Sequence, residues 1–170
     1  RGASEEAIGR VLESADCDRD SISVVSKFGY RLSEQPVAPE ASPDADAALP
    51  PCSVPISPGV VSCFDPDFLR SELTASLERL GSDSVEAYLL HDPESHLEHA
   101  LPLKAGADLD EASVKSANDA FMSDVILPSF VALEQEVKQG RLKSYGVCSK
   151  SFCFPDMHPH HISIDALLST

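Results

Sequence analysis

Basic side chains are scarce in this sequence. Thirteen lysines and arginines stand against 28 acids, for a formal charge of -15 over 170 residues. Such a surface repels phosphate backbones and anionic lipid, so neither nucleic acid nor a membrane is expected among its partners. Long hydrophobic runs are lacking too: nothing approaches the roughly 20 apolar residues that cross a bilayer. The five cysteines, Cys17, Cys52, Cys63, Cys148 and Cys153, form no CxxC pair and are odd in number. That pattern fits reduced thiols inside a cell better than a disulfide framework, and the cytoplasm is the expected compartment, although a targeting peptide ahead of Arg1 would change this. No GxGxxG, P-loop or nucleophile-elbow motif occurs. What is abundant is apolar material, 42% of residues, enough for a globular core.

That material is best organised between Asp65 and Pro93. Asp65 is placed to cap a helix, Pro66 suits its first turn, Leu69, Leu73, Leu77 and Leu80 recur at helical spacing, and Gly81 closes it. Val85 to Leu90 then reads as a short buried strand of the kind found in parallel sheets, with His91 at its C-terminal end.

Before this stretch, Ser4 is expected to cap a helix running to about Ser14, with Ala7, Ile8, Val11 and Leu12 as its apolar stripe and Gly9 marking close packing. Ile22 to Lys27 reads as a strand ending in a lysine. Residues from 31 to about 63 are rich in Pro, Ala, Ser and Asp and read as a long loop inserted in one domain, 1–170. After His91 come a loop-like segment from His96 to about Leu109, a helix from about Asp110 to Gln139 that Pro128 kinks or divides, and a third strand, Leu142 to Cys148. Strands alternating with helices predict an α/β fold with a parallel sheet, either open or closed into a barrel. Arg1 stands directly before a capped helix, and an apolar helix is expected to begin at residue 166, so the sequence reads as a piece of something longer.

In parallel α/β folds the chemistry gathers beyond the carboxyl ends of the strands. Lys27 and His91 both end strands, and Ser149 lies just past the third. A lysine and a histidine without a nearby nucleophile suggest proton handling or polarisation of a carbonyl. The alternatives are a solvated charge at Lys27 and a turn residue at His91 before Asp92-Pro93. His158-Pro159-His160-His161 has imidazoles but no familiar metal-site spacing, and is read as a surface tract with no metal.

Four segments resemble the aldo-keto reductases: Ser26-Lys27-Phe28-Gly29, Leu73 to Gly81, Val85 to His91 and Gly140 to Val147. The resemblance implies a partial (β/α)8 barrel, roughly its second to fifth βα units, from an NADPH-dependent oxidoreductase. Its substrate would be a small aldehyde or ketone, or in reverse an alcohol or sugar. It implies that Lys27 is the lysine that lowers a catalytic tyrosine's pKa and His91 the histidine that orients the substrate carbonyl. Cys148 and Ser149 fall where the family contacts the nicotinamide amide, Ser149 being the stronger candidate because a thiol is a weak donor. It also implies that the tyrosine and its aspartate precede Arg1. Glu86 stands where the family usually has aspartate. That departure, Cys148 and the long insertion leave a second reading, a catalytically degenerate binding or regulatory subunit of the same fold; a third is an open α/β module that binds a small ligand at its strand ends.

Overall fold

Asp65 and Gly81 bracket a helix that packs against the parallel sheet and two neighbouring helices. The computed structural model describes residues 2–14, 18–32, 52–100 and 111–150. In chain order its elements are α1 (Ala3–Leu12), β1 (Val25–Phe28), β2 (Tyr30–Leu32), β3 (Val54–Ser57), β4 (Val60–Ser62), α2 (Pro66–Leu80), β5 (Val85–His91), α3 (Pro93–Ala100), α4 (Glu111–Phe121), α5 (Leu127–Lys138) and β6 (Leu142–Cys148). A 3-10 turn spans Arg19–Ser21 and a π-helical turn Met122–Ile126.

The main sheet is parallel, in the order β1-β5-β6. On one face Phe28, Tyr88 and Leu90 meet Leu69, Leu73 and Leu80 of α2 and Leu133 of α5, each 1% exposed or less. A fully buried leucine contributes roughly 1.5–3 kcal/mol of transfer free energy, so this stripe is the main force holding helices to sheet. Strand alternation sends Val25, Lys27, Ala87, Leu89, His91, Ser144, Gly146 and Cys148 to the other face. That face is the more open one: Val25 is 54% exposed.

The α2 expectations hold in detail. Asp65 accepts from the N–H groups of Asp67 and Phe68, both at 3.0 Å, and Gly81 takes the left-handed conformation with φ 61°. Asp65→Ala should therefore cost about 1 kcal/mol of stability, read as a lower denaturation midpoint at unchanged slope. At the opposite end from the strand tips, Glu86 accepts from Val24 N–H at 2.6 Å, from Arg19 at 3.1 and 3.2 Å, and pairs with Lys143 at 3.2 Å. Burial alone would raise its pKa; the bonds from Val24, Arg19 and Lys143 outweigh that and hold it at about 2. Here the longer carboxylate ties the start of β1 to β5.

Other expectations need correction. The N-cap of α1 is Gly2, not Ser4, and no side chain caps it. Ile8 and Val11 are 42% and 60% exposed rather than forming a buried stripe. The Glu5–Arg79 ion pair, at 2.6 Å, and the Glu5–Ser26 hydrogen bond fix the rotation of α1 so that Gly9 faces α2. A Cβ at Gly9 would collide with the Arg79 carbonyl oxygen, which is the close packing that the glycine marked. The segment read as loop from 31 to 63 contains strands: β2, β4 and β3 form an antiparallel sheet. Its middle, 33–51, lies outside the described residues. The loop expected from His96 begins instead as α3. Pro128 does divide the long helix: it has no N–H to continue the ladder, and the chain passes through the π-helical turn before α5 begins.

Candidate active site

Three strand tips meet at the carboxyl edge of the parallel sheet. Lys27 pairs with Leu89 across β1 and β5, and His91 with Cys148 across β5 and β6. Lys27 and His91 are therefore on neighbouring parallel strands, one pleat apart, and share a face. Strands lie about 4.8 Å apart, so β1 and β6 are separated by about 10 Å. Lys27 spans that width: its Nζ lies 3.9 Å from Cys148 Sγ, across the tip of the central strand. Sulfur is a weak acceptor, so this contact leaves the ammonium poorly satisfied and available to an oxygen anion. Ser149, half-buried, follows directly on the same rim.

The backbone that positions this pair depends on Gly29. Its φ is 133°, and a Cβ there would stand 3.0 Å from the His91 carbonyl oxygen and 2.9 Å from the Phe64 ring. Only glycine takes that conformation with so little space. The chain thus leaves β1 directly against His91 and enters β2, where the Tyr30 ring and the imidazole pack edge to face with centroids 5.1 Å apart.

His91 is half-buried, and burial is the leading cause that lowers its pKa. Asp92 opposes this, Lys27 and Lys150 add to it, and Glu94 opposes it. The imidazole is therefore neutral at neutral pH and can donate one N–H to an oxygen while remaining a weak acid. Asp92, 2% exposed, takes the left-handed conformation with φ 50° and donates its N–H to the Cys148 carbonyl at 2.7 Å. Its Oδ2 accepts from Tyr30 at 3.1 Å, pairs with Lys150 at 2.7 Å and lies 3.7 Å from His91 Nε2. Glu94, at the start of α3, accepts from the Lys150 backbone N–H at 2.7 Å.

Lys27, His91 and Cys148 are thus brought together, with Ser149 beside them. Tyr30, Asp92, Glu94 and Lys150 were not singled out from the sequence. Asp92-Pro93-Glu94 directly after a candidate histidine was the available signal, since Asp, Pro and Glu in that order begin a helix that would return the chain to the strand tip. His158 to His161, Cys17 and Cys153 lie outside the described residues. Cys52, Cys63 and Cys148 form no disulfide. Among the described residues no helix is long and apolar enough to cross a membrane.

Solved structures of similar fold include a glycerol dehydrogenase from Gluconobacter oxydans, at TM-score 0.50 and 19% identity over 87% of this chain and 31% of its own. An aldo-keto reductase from Bacillus halodurans in its holo form aligns at TM-score 0.49 and 17% identity, over 88% of this chain and 33% of its own. The chain spans about a third of the length of these solved relatives. No curated protein sequence matches it. A sequence model of the aldo/keto reductase family matches residues 1–153, through all three strand tips and the helices between them. The chain belongs to the aldo/keto reductase family.

Proposed function

We propose that this chain supplies the lysine–histidine half of the active site of an NADPH-dependent oxidoreductase that reduces small aldehydes or ketones. The observation that carries this reading is the placement of Lys27 and His91 on one face of adjacent parallel strands, at the edge where such folds gather their chemistry. In this reading β1, β5 and β6 are neighbouring strands of a (β/α)8 barrel, within its second to fifth βα units. Their open face is the barrel interior.

The residues present fit the cofactor. The Ser149 hydroxyl can both donate to and accept from a carboxamide, with Cys148 a weaker neighbour. Gly146 keeps the floor beside them low, since a Cβ there would already touch Leu89 at 3.4 Å. Bound NADPH would supply the hydride. His91, neutral, donates an N–H to the substrate carbonyl oxygen and fixes its position. Lys27 acts through a tyrosine placed before Arg1: an ammonium near a phenol stabilises the phenolate and makes the phenol a better proton donor near neutral pH. Among the described residues, the three tyrosines are not suited to that role. Tyr88 is in the core, Tyr145 packs against Phe130 on the helix face, and Tyr30 has its pKa raised by burial and by Asp92.

The test is to purify the intact protein and follow NADPH consumption with a panel of small aldehydes and ketones. Saturable consumption dependent on the carbonyl is the expected result. A protein that binds NADPH but turns over none of the panel would remove the enzyme reading and leave a binding role.

A further inference from the structure

A buried carboxylate next to a catalytic imidazole is a hazard as well as an aid. Asp92 lies beside His91 in sequence and in space, and a free carboxylate there would take the imidazole N–H as its hydrogen bond and favour the imidazolium. The structure has another arrangement. Oδ2 of Asp92 receives Lys150 Nζ at 2.7 Å and Tyr30 OH at 3.1 Å, while His91 Nε2 stays 3.7 Å away, beyond hydrogen-bonding range. Lys150 is fixed from a second direction, because its backbone N–H is held by Glu94. Tyr30 also packs its ring on His91.

We propose that Lys150 and Tyr30 are positioning residues which occupy the Asp92 carboxylate and so keep His91 Nε2 free to bind the substrate carbonyl oxygen. This rests on the reading of His91 as the group that orients the carbonyl. The groups facing the imidazole are Lys27 from β1, Tyr30 from β2, Asp92 next in the chain, Glu94 from α3, Cys148 from β6 and Lys150 just beyond it. Removing the Lys150 charge has two effects of one sign. It takes away a cation that disfavours the imidazolium, and it leaves the Asp92 carboxylate to be balanced by His91 in its protonated form. The Lys150 side chain is 72% exposed, so the pair is open to screening and the effect is largest at low salt.

The experiment titrates His91 by NMR in the intact protein at low ionic strength, with its signal identified by its loss in His91→Gln, and measures carbonyl reduction in parallel. Lys150→Met should raise the His91 pKa by about half a pH unit or more and raise KM roughly tenfold with a smaller change in kcat. Lys150→Arg should track the wild type. Adding Asp92→Asn to Lys150→Met should return the pKa to or below its starting value, because the carboxylate that captures the imidazole is gone. A His91 titration unmoved by Lys150→Met, or a shift that Asp92→Asn does not reverse, overturns the proposal. If the titrations shift as stated but even the wild type reduces no carbonyl, the reductase reading is lost and the positioning role of Lys150 stands.

Discussion

Lys27→Met in the intact protein is expected to lower kcat for aldehyde reduction by at least about a hundredfold, the lower end of what a positioned general acid contributes. The side chain is nearly isosteric, so the change removes a charge and little packing; Lys27 is exposed and its one described contact is with Cys148. Without the ammonium the phenol that Lys27 serves should return toward an ordinary pKa near 10, and the acid limb of catalysis should weaken at neutral pH. His91→Ala should behave differently, raising KM more than it lowers kcat, because it removes the group that holds the carbonyl and leaves the proton donor intact. NADPH affinity, followed by fluorescence titration, should change little in either variant. A Lys27→Met enzyme with near-normal kcat would sink the assignment. The degenerate-subunit reading would then take its place.

What the sequence made legible follows a physical line. The helix from Pro66 to Leu80 was readable because its start, its leucine period and its end agree: an acid cap, apolar residues on one face and a glycine stop. The strand ending at His91 was readable because a parallel strand is apolar on both faces. The antiparallel sheet was missed because β2, β3 and β4 are only three or four residues long and Pro55 lies inside β3, where a proline argues against a strand. A signal was present even so. Pro58-Gly59 between Ile56 and Val60 is a turn pair, and Gly59 takes φ 75° as such a turn requires. The α1 stripe failed for another reason: local periodicity identifies an apolar face without saying what covers it, and an ion pair and a hydrogen bond made by Glu5 decide the helix's rotation. At the site, Lys27 and His91 were found because strand ends are visible in sequence. Asp92, Tyr30 and Lys150 converge only through the left-handed turn at Asp92 and the path through Gly29, which no periodicity encodes.

The antiparallel sheet also bears on stability in acid. Among its links to the rest of the structure is His96 of α3, which is 2% exposed, bonds Ser62 of β4 through Nδ1 at 3.0 Å, stacks on Phe121 with centroids 5.5 Å apart and meets the tilted Phe64 ring at 5.3 Å. Burial lowers its pKa to about 4, far below the 6.5 of an unfolded histidine. The folded state therefore resists a proton that the unfolded state accepts. The resulting stability is fully present above pH 6.5 and is lost as pH falls from there to about 4. At about 1.4 kcal/mol per pH unit, the loss across that window is about 3 kcal/mol. His91, lowered in the same direction, adds to it. Glu86 does not contribute there, since its stabilisation is lost only as pH falls from 4.5 toward 2. Denaturant unfolding of the intact protein at steps from pH 7.5 to 4 should show this decline. His96→Leu should lower stability at neutral pH by about 1–3 kcal/mol, through the Ser62 hydroxyl left without its partner, and should flatten most of the slope. A slope between pH 6.5 and 4 that survives His96→Leu unchanged would assign the acid sensitivity elsewhere. Because Tyr30 of the same antiparallel sheet packs on His91, protonation of His96 should also loosen the active site before the whole protein unfolds, so activity should fall at a higher pH than the unfolding midpoint.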